Sequence, residues 1–176
     1  MELQTDRLVL RRPKKTRDLD DVVAGASDPE VPRFIVLIPD PYTVEDARTW
    51  FEHVDRAWLS SDERTFAIFD KKSDDFLGVV TVRLREGGSV GYWLTRDARG
   101  RGVMTEAVRA VVTWAQDQYA ITHLVLTTDP SNFASQRVAE RAGFSRAGLV
   151  AHHPPLADGR TESVLFELRN PLGEHS

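Results

Sequence analysis

A strand-like segment, two glycines and a helix-like segment follow one another between residues 89 and 119. The segment SVGYWLT is followed by RDARGRG (residues 96–102, the glycine turn) and then by an amphipathic run that ends at Tyr119. Glycine inside a helix costs roughly 1 kcal/mol relative to alanine, so two glycines directly before a helix need another explanation. Because glycine lets the backbone approach a ligand closely, the order predicts a strand-to-helix turn whose backbone binds something.

The glycine turn also places positive charge beside a helix start. Arg96, Arg99 and Arg101 lie there, and arginine binds phosphate oxygens well. The first amides of a helix attract anions in addition, which predicts a phosphate or diphosphate site. The turn lacks the G-K-[ST] of a P-loop, and Thr105 stands where a dinucleotide fingerprint has its third glycine. On the residues alone, a tight turn with solvated arginines remains the alternative.

Composition limits the other classes of function. The 176 residues carry a net charge of −4 and no cysteine, which predicts one domain over 1–176 (core about 3–170) and argues against nucleic-acid or anionic-membrane binding. The five histidines include no H-E-x-x-H, so no metal site is predicted. The N-terminus is too charged for a secretory signal, and the apolar run FIVLI is too short for a membrane span. A cytoplasmic protein is expected.

Hydrophobic patterning predicts a mixed α+β fold. Two early helices are expected, one capped by Thr16 and one capped by Thr43 with Asp46. The proline-rich stretch between them predicts a loop. A final helix is expected to end at Gly143. The predicted strands are RLVLRR, a meander of RTFAIFD, FLGVVTVRL and SVGYWLT, then HLVLTT and ESVLFELR.

Two motifs resemble those of the GCN5-related N-acetyltransferases (GNAT). YWLTRDARGRGVMTEAV resembles their acetyl-coenzyme A motif, R/Q-x-x-G-x-G/A, with Arg99 and Gly102 at its fixed positions and Met104 in place of the last Gly or Ala. NFASQRVAERAGF resembles the second motif, which contains Asn132 and Ser135. The segments TDRLVLRRP and PYTVEDARTWF resemble the corresponding segments of one branch of this family, the enzymes that acetylate the N-termini of ribosomal proteins.

The resemblance implies a twisted mixed sheet of six to seven strands with about four helices. The sheet opens between its fourth and fifth strands, and coenzyme A lies in the opening. Acetyl-coenzyme A, or another acyl-coenzyme A, is then the co-substrate. The implied cofactor-binding residues are Tyr92, Trp93, Leu94, Thr95, Arg99, Gly100, Arg101, Gly102, Val103, Met104, Thr105, Asn132 and Ser135.

In this family the acyl group passes directly from the thioester to an amine, with no covalent enzyme intermediate. The resemblance gives Ser135 the role of hydrogen bonding the leaving sulfur, against the alternative of local helix packing. A backbone N–H near Leu94 would hold the oxyanion. No general base is assigned, since Thr127 occupies the position where some relatives carry a glutamate.

The acceptor end of the implied site falls in LVAHHPPLADGRTES. His152 is a candidate base near neutral pH, beside the alternative of two loop histidines, and Glu162 is a candidate for orienting the amine. The expected acceptor is a small-molecule amine or a protein or peptide N-terminus, and a homodimer is possible for this family. A non-catalytic acyl-coenzyme A-binding module of the same fold is the alternative function, and a nucleic-acid binder using RGRG is opposed by the net acidity.

Overall fold

The computed structural model describes residues 1–151, 155 and 159–170. Within these ranges the chain forms eight strands and five α-helices, one or two strands and one helix more than expected. The elements are β1 (Glu2–Gln4), β2 (Leu8–Arg11), α1 (Lys15–Ala26), α2 (Glu30–Phe34), α3 (Val44–Ser60), β3 (Glu63–Asp70), β4 (Phe76–Arg83), β5 (Gly88–Leu94), α4 (Val103–Tyr119), β6 (His123–Thr128), α5 (Phe133–Arg141), β7 (Ser145–Ala151) and β8 (Glu162–Arg169).

All eight strands belong to one mixed sheet in the order β1-β2-β3-β4-β5-β6-β8-β7. Neighbouring strands are antiparallel except β5 and β6, which are parallel. The α+β fold and the β3–β5 meander are therefore confirmed. The strand β7 was not predicted because its side chains are almost all exposed and lack an apolar alternation.

Helix α4 packs across the centre of the sheet and supplies much of the core. Its Val108 and Val111 are fully buried, as are Phe66 and Val80 on the strands beneath it. Burial of this apolar stripe fixes the orientation of α4 and so aims its N-terminus at the carboxyl end of β5. Within the described ranges, no helix is both long and apolar enough to span a membrane.

The starts of the two early helices show one correct and one wrong prediction. Thr43 caps α3, with the Asp46 N–H donating to Thr43 Oγ1 at 3.2 Å and the Thr43 N–H donating to Asp46 Oδ2 at 2.8 Å. Thr16 does not cap α1, which begins one residue before it. The Lys14 N–H instead donates to Asp18 Oδ2 at 2.7 Å, so a side chain from inside the helix bonds back to the amide of the N-cap residue.

The proline-rich stretch is also more structured than expected. Residues 30–34 form the short helix α2 inside the segment predicted to be loop. Pro32 lies in its first turn, where a proline removes no intrahelical hydrogen bond. The prediction of a loop was wrong for these five residues, because a proline in the first turn is compatible with a helix.

Candidate active site

The sheet opens between β5 and β6, as the family resemblance implied. The parallel register pairs only Gly88 with Leu124 and Ser89 with Val125, so residues 90–94 of β5 have no register partner on β6 within the described chain. The space along this free edge is the cleft. In the sequence prediction these were the fourth and fifth strands; the short β1 moves each number up by one.

The backbone of β5 presents alternate groups to the cleft. The Thr95 N–H donates to the Leu77 carbonyl of β4 at 2.9 Å. Hydrogen-bonded and non-hydrogen-bonded pairs alternate along an antiparallel ladder, so Tyr92 and Leu94 direct their N–H and C=O groups away from β4. The Leu94 carbonyl accepts a bond from Arg99 Nη2 at 3.0 Å. The Leu94 N–H thus faces the cleft, where the oxyanion was expected.

The glycine turn requires both of its glycines. Gly100 and Gly102 have φ values of 71° and 76°, a left-handed conformation that costs a residue with a Cβ roughly 1–2 kcal/mol. Gly102 is the N-cap of α4 and provides no side-chain cap. The first amides of α4 therefore lack an intrahelical acceptor and carry partial positive charge. This is the geometry of an anion site.

The side chains that follow Gly102 leave this anion site open. Val103 and Met104 are each 2% exposed and belong to the core. Met104, the residue that departs from the family motif, therefore turns its bulk into the protein. With this side chain buried, the backbone N–H of Met104 stays next to the glycine turn. The backbone N–H of the half-exposed Thr105 lies beside it.

Two of the three arginines of the glycine turn brace the turn from within. Arg96 Nε and Arg99 Nη2 lie 3.1 and 3.3 Å from Asp28 Oδ2. The hydrogen bond from Arg96 lowers the pKa of Asp28 below its ordinary value. Arg99 also holds the Leu94 carbonyl, so it connects the start of the turn to β5. Arg101 is exposed and donates to the Asp97 carbonyl at 3.4 Å.

The N-terminal segment supports the glycine turn from outside, a contact that the sequence prediction missed. Arg7 Nη1 donates to the Arg101 carbonyl at 3.0 Å, and Arg7 Nε donates to Glu106 Oε2 at 2.7 Å. Thr5 Oγ1 donates to Glu106 Oε1 at 2.5 Å. Burial raises the pKa of Glu106, but the bonds from Thr5 and Arg7 outweigh it and lower that pKa. The sequence did hold a signal for this contact. TDRLVLRRP, which contains Thr5 and Arg7, and the first motif, which contains Glu106, both resemble the same family.

Helix α5 forms the opposite side of the cleft. Asn132 is its N-cap, and Asn132 Oδ1 accepts the Ser135 N–H at 3.0 Å. Ser135 Oγ lies 2.9 Å from Tyr92 Oη, and Tyr92 Oη lies 3.2 Å from the Ser135 carbonyl oxygen. Burial raises the pKa of Tyr92 to about 12, although the bond to Ser135 opposes the shift. The structure thus brings two predicted site residues, 43 positions apart, into contact.

Of the two predicted acceptor residues, only Glu162 lies within the described ranges. His152 and its neighbour His153 lie outside the described residues. Glu162 is exposed at the start of β8, in register with Ala151. Over the described ranges, no group of three His, Asp or Glu side chains is placed to hold a metal ion.

A buried carboxylate beside the cleft was missed by the sequence prediction. The Asp129 side chain is 1% exposed, and its Oδ1 lies 2.6 Å from Arg160 Nη1. The same oxygen accepts the Ser131 N–H at 2.7 Å. Arg160 precedes β8, so this pair ties the β7–β8 connection to the β6–α5 connection. The signal in the sequence is an aspartate before Pro130, a pattern typical of turns.

Comparison with known proteins identifies the family. The family model described as "Acetyltransferase (GNAT) domain" matches residues 7–145. Probable N-acetyltransferase YjcK of Bacillus subtilis (strain 168) is 33% identical over 145 residues, which are 80% of either protein. The ribosomal-protein-serine acetyltransferase of Escherichia coli (strain K12) is 26% identical over 107 residues, 58% of this chain and 59% of that protein.

The fold matches as well. The solved structure of RimL, a ribosomal L7/L12 α-N-protein acetyltransferase in complex with coenzyme A, superposes with a TM-score of 0.86 at 17% identity, over 96% of this chain and 98% of that one. These similarities confirm the resemblance seen in the two motifs. The chain belongs to the GNAT acetyltransferase family and is an acyl-coenzyme A-dependent N-acetyltransferase.

Proposed function

We propose that the protein transfers the acetyl group of acetyl-coenzyme A to the α-amine of a protein or peptide N-terminus. The observation that carries the proposal is the cleft, which places the free edge of β5 between the uncapped start of α4 and the Ser135 hydroxyl. The names of two of the relatives describe acetylation of a ribosomal-protein serine and of a protein α-amine, which supports the choice of acceptor.

The proposed cofactor site follows the cleft. The diphosphate lies on the amides of residues 100–105, and the pantetheine arm lies along the edge of β5 that carries Tyr92 and Leu94. Asn132 and Ser135 border the arm from α5. Trp93 and Thr95 contribute by holding this edge in place, since their backbones pair with β4.

The proposed chemistry uses groups already directed into the cleft. A neutral amine attacks the thioester carbonyl, and the Leu94 N–H stabilises the oxyanion that forms. As the carbon–sulfur bond breaks, the Ser135 hydroxyl donates a hydrogen bond to the thiolate. The proton released by the amine finally protonates the sulfur, so every side chain ends the cycle in its starting state.

The ionisation of the acceptor favours an α-amine over a lysine side chain. An α-amine has a pKa of about 8 and is roughly one tenth neutral at pH 7, whereas the lysine amine has a pKa of about 10.4. An acceptor that is already partly neutral needs no strong base. His152 and Glu162 remain proposed contacts of the amine.

The acceptor class is tested with three substrates at pH 7. These are a peptide with a free N-terminus and no lysine, the same peptide with a blocked N-terminus and one lysine, and a small primary amine. Release of free thiol from acetyl-coenzyme A is expected to be fastest with the first. Equal or faster turnover of the lysine peptide would contradict the α-amine proposal, and no turnover with any acceptor, despite binding, would favour the non-catalytic alternative.

Removal of the Ser135 hydroxyl is expected to slow turnover. Ser135→Ala should lower kcat about tenfold, the effect of one hydrogen bond to a charged group worth about 1.5 kcal/mol. The KM for acetyl-coenzyme A should change little. Ser145→Ala, at the exposed start of β7, is the control and should behave as wild type. An unchanged kcat in Ser135→Ala would remove Ser135 from the mechanism.

The brace formed by Arg99 is expected to matter for cofactor affinity. Arg99→Lys keeps the charge, but its ammonium lies one bond nearer the backbone than Arg99 Nη2, the atom that contacts both the Leu94 carbonyl and Asp28, so lysine should not keep both contacts. The KM for acetyl-coenzyme A should rise about fivefold, close to 1 kcal/mol of binding. Arg48→Lys, exposed on α3, supplies the control. A KM equal in both variants would exclude this bracing role.

A further inference from the structure

The contact between Tyr92 and Ser135 crosses the cleft from strand to helix. Tyr92 Oη has two neighbours on the same residue, Ser135 Oγ at 2.9 Å and the Ser135 carbonyl oxygen at 3.2 Å. Both separations allow a hydrogen bond. The Tyr92 hydroxyl thus contacts Ser135, the residue of α5 that is proposed to bond to the sulfur.

Counting the hydrogens shows that this contact has two arrangements. Tyr92 has one hydroxyl hydrogen, and a carbonyl oxygen only accepts. If Tyr92 donates to the Ser135 carbonyl, the Ser135 hydroxyl is left to donate to Tyr92 Oη. If Tyr92 donates to Ser135 Oγ, the Ser135 hydrogen is free to point elsewhere. Only the second arrangement leaves a donor for the sulfur, and no heavy atom needs to move between the two.

We propose that the Tyr92 hydroxyl is a positioning group that donates to Ser135 Oγ and thereby directs the Ser135 hydrogen at the leaving sulfur. The inference rests on the proposed function, because it assumes the role given there to Ser135. Without a donor on Oγ, a serine hydroxyl is free to bond instead to a backbone carbonyl three or four residues earlier in the chain. A hydroxyl that accepts one hydrogen bond is also polarised and becomes a stronger donor.

Tyr92 is not required to give up its proton. In the full reaction the amine nitrogen forms a bond to the acyl carbon, the carbon–sulfur bond breaks, and its electron pair stays on sulfur. The amine loses one proton and the sulfur gains one. The pKa of Tyr92, about 12, exceeds that of an ordinary thiol, about 8.5, so net transfer from Tyr92 to the thiolate is unfavourable. Hydrogen bonding alone is consistent with both values.

The test is a double-mutant cycle with Tyr92→Phe, Ser135→Ala and the combined variant. Phenylalanine keeps the ring and removes only the hydroxyl. Tyr92→Phe should lower kcat about tenfold at saturating acetyl-coenzyme A and leave its KM within about twofold of wild type. Because the two hydroxyls act as one unit, the combined variant should be no slower than Ser135→Ala alone. Ser135→Thr retains a hydroxyl and should retain most of the wild-type kcat only while Tyr92 is present.

The outcomes separate this inference from the proposed function. A slow Ser135→Ala with a normal Tyr92→Phe overturns the inference and leaves the proposed function standing. A roughly hundredfold loss in the combined variant shows that Tyr92 acts independently and also overturns it. A normal Ser135→Ala overturns the inference and removes Ser135 from the mechanism, whereas a wild-type protein without turnover overturns the proposed function as well. If Tyr92→Phe does not fold, Tyr92→Met takes its place in the cycle, because its flexible apolar side chain fills the space of the ring without a hydroxyl; the same tenfold loss is expected, and a normal kcat overturns the inference.

Discussion

A Gly102→Val variant is expected to bind acetyl-coenzyme A about 100-fold more weakly than wild type while the sheet stays folded. Gly102 has a φ of 76° and caps α4 without a side chain. A β-branched residue is strained in this conformation, and its methyl groups crowd the amides that are proposed to bind the diphosphate. Loss of one or two bonds to a charged group, each about 1.5–3 kcal/mol, accounts for the 100-fold change.

The control for this variant is Gly87→Val, at the opposite end of β5. Gly87 has a φ of 66°, so it carries a similar backbone penalty, and a Cβ there would come no closer than 3.7 Å to His123 Nδ1. Calorimetry gives the dissociation constant of each variant, and thermal unfolding gives the shared loss of stability. If both variants bind acetyl-coenzyme A like wild type, the glycine turn does not hold the diphosphate.

An Asp18→Ala variant is expected to lose about 3 kcal/mol of unfolding free energy. The Asp18 side chain is 1% exposed, and its two oxygens accept from Arg11 at 2.9 and 2.7 Å. It also accepts the N–H of Lys14, the N-cap residue of α1. Removing one partner leaves the Arg11 guanidinium buried without its counter-charge, which typically costs 3–5 kcal/mol. Urea unfolding measures the change as a lower midpoint.

Asp55→Ala is the matched control for Asp18→Ala. Asp55 lies on α3 and pairs with Arg12, but its side chain is 57% exposed, and exposed ion pairs contribute about 0–1 kcal/mol. Its unfolding free energy should therefore stay close to wild type. Equal losses in the two variants would show that the buried pair contributes no more than a surface pair. Activity of the folded fraction should be unchanged in both, because neither aspartate borders the cleft.

The features that were predictable from the sequence are local ones. The strand, glycine turn and helix of residues 89–119 depend on neighbours along the chain, and so does the capping of α3 by Thr43 and Asp46. The apolar pattern of the sequence located the buried strands, because each of them packs apolar side chains against the core. The family likeness supplied the opening of the sheet, which no local pattern encodes.

The features that were missed depend on distant contacts or on weak patterns. Strand β7 has seven residues of which only Val150 is partly buried, so it gives no apolar alternation. The bracing role of Arg99 depends on Asp28, which is remote in sequence. The Lys14 N–H, at the N-cap of α1, donates to Asp18, whose carboxylate also pairs with Arg11 on β2. The Tyr92 contact with Ser135 exists only once strand and helix face each other.

The narrow junction of β5 with β6 has a consequence for the stability of the whole molecule. Two register pairs, at Gly88 and Ser89, join the halves of the sheet directly. In the proposed site, an acyl-coenzyme A that aligns its amides with the free edge of β5 would act as a missing strand and join the two halves of the sheet. Ligand at 100 times its dissociation constant adds about 2.7 kcal/mol to stability. The metabolic supply of the acyl donor would then govern how long each enzyme molecule survives, as well as how fast it works.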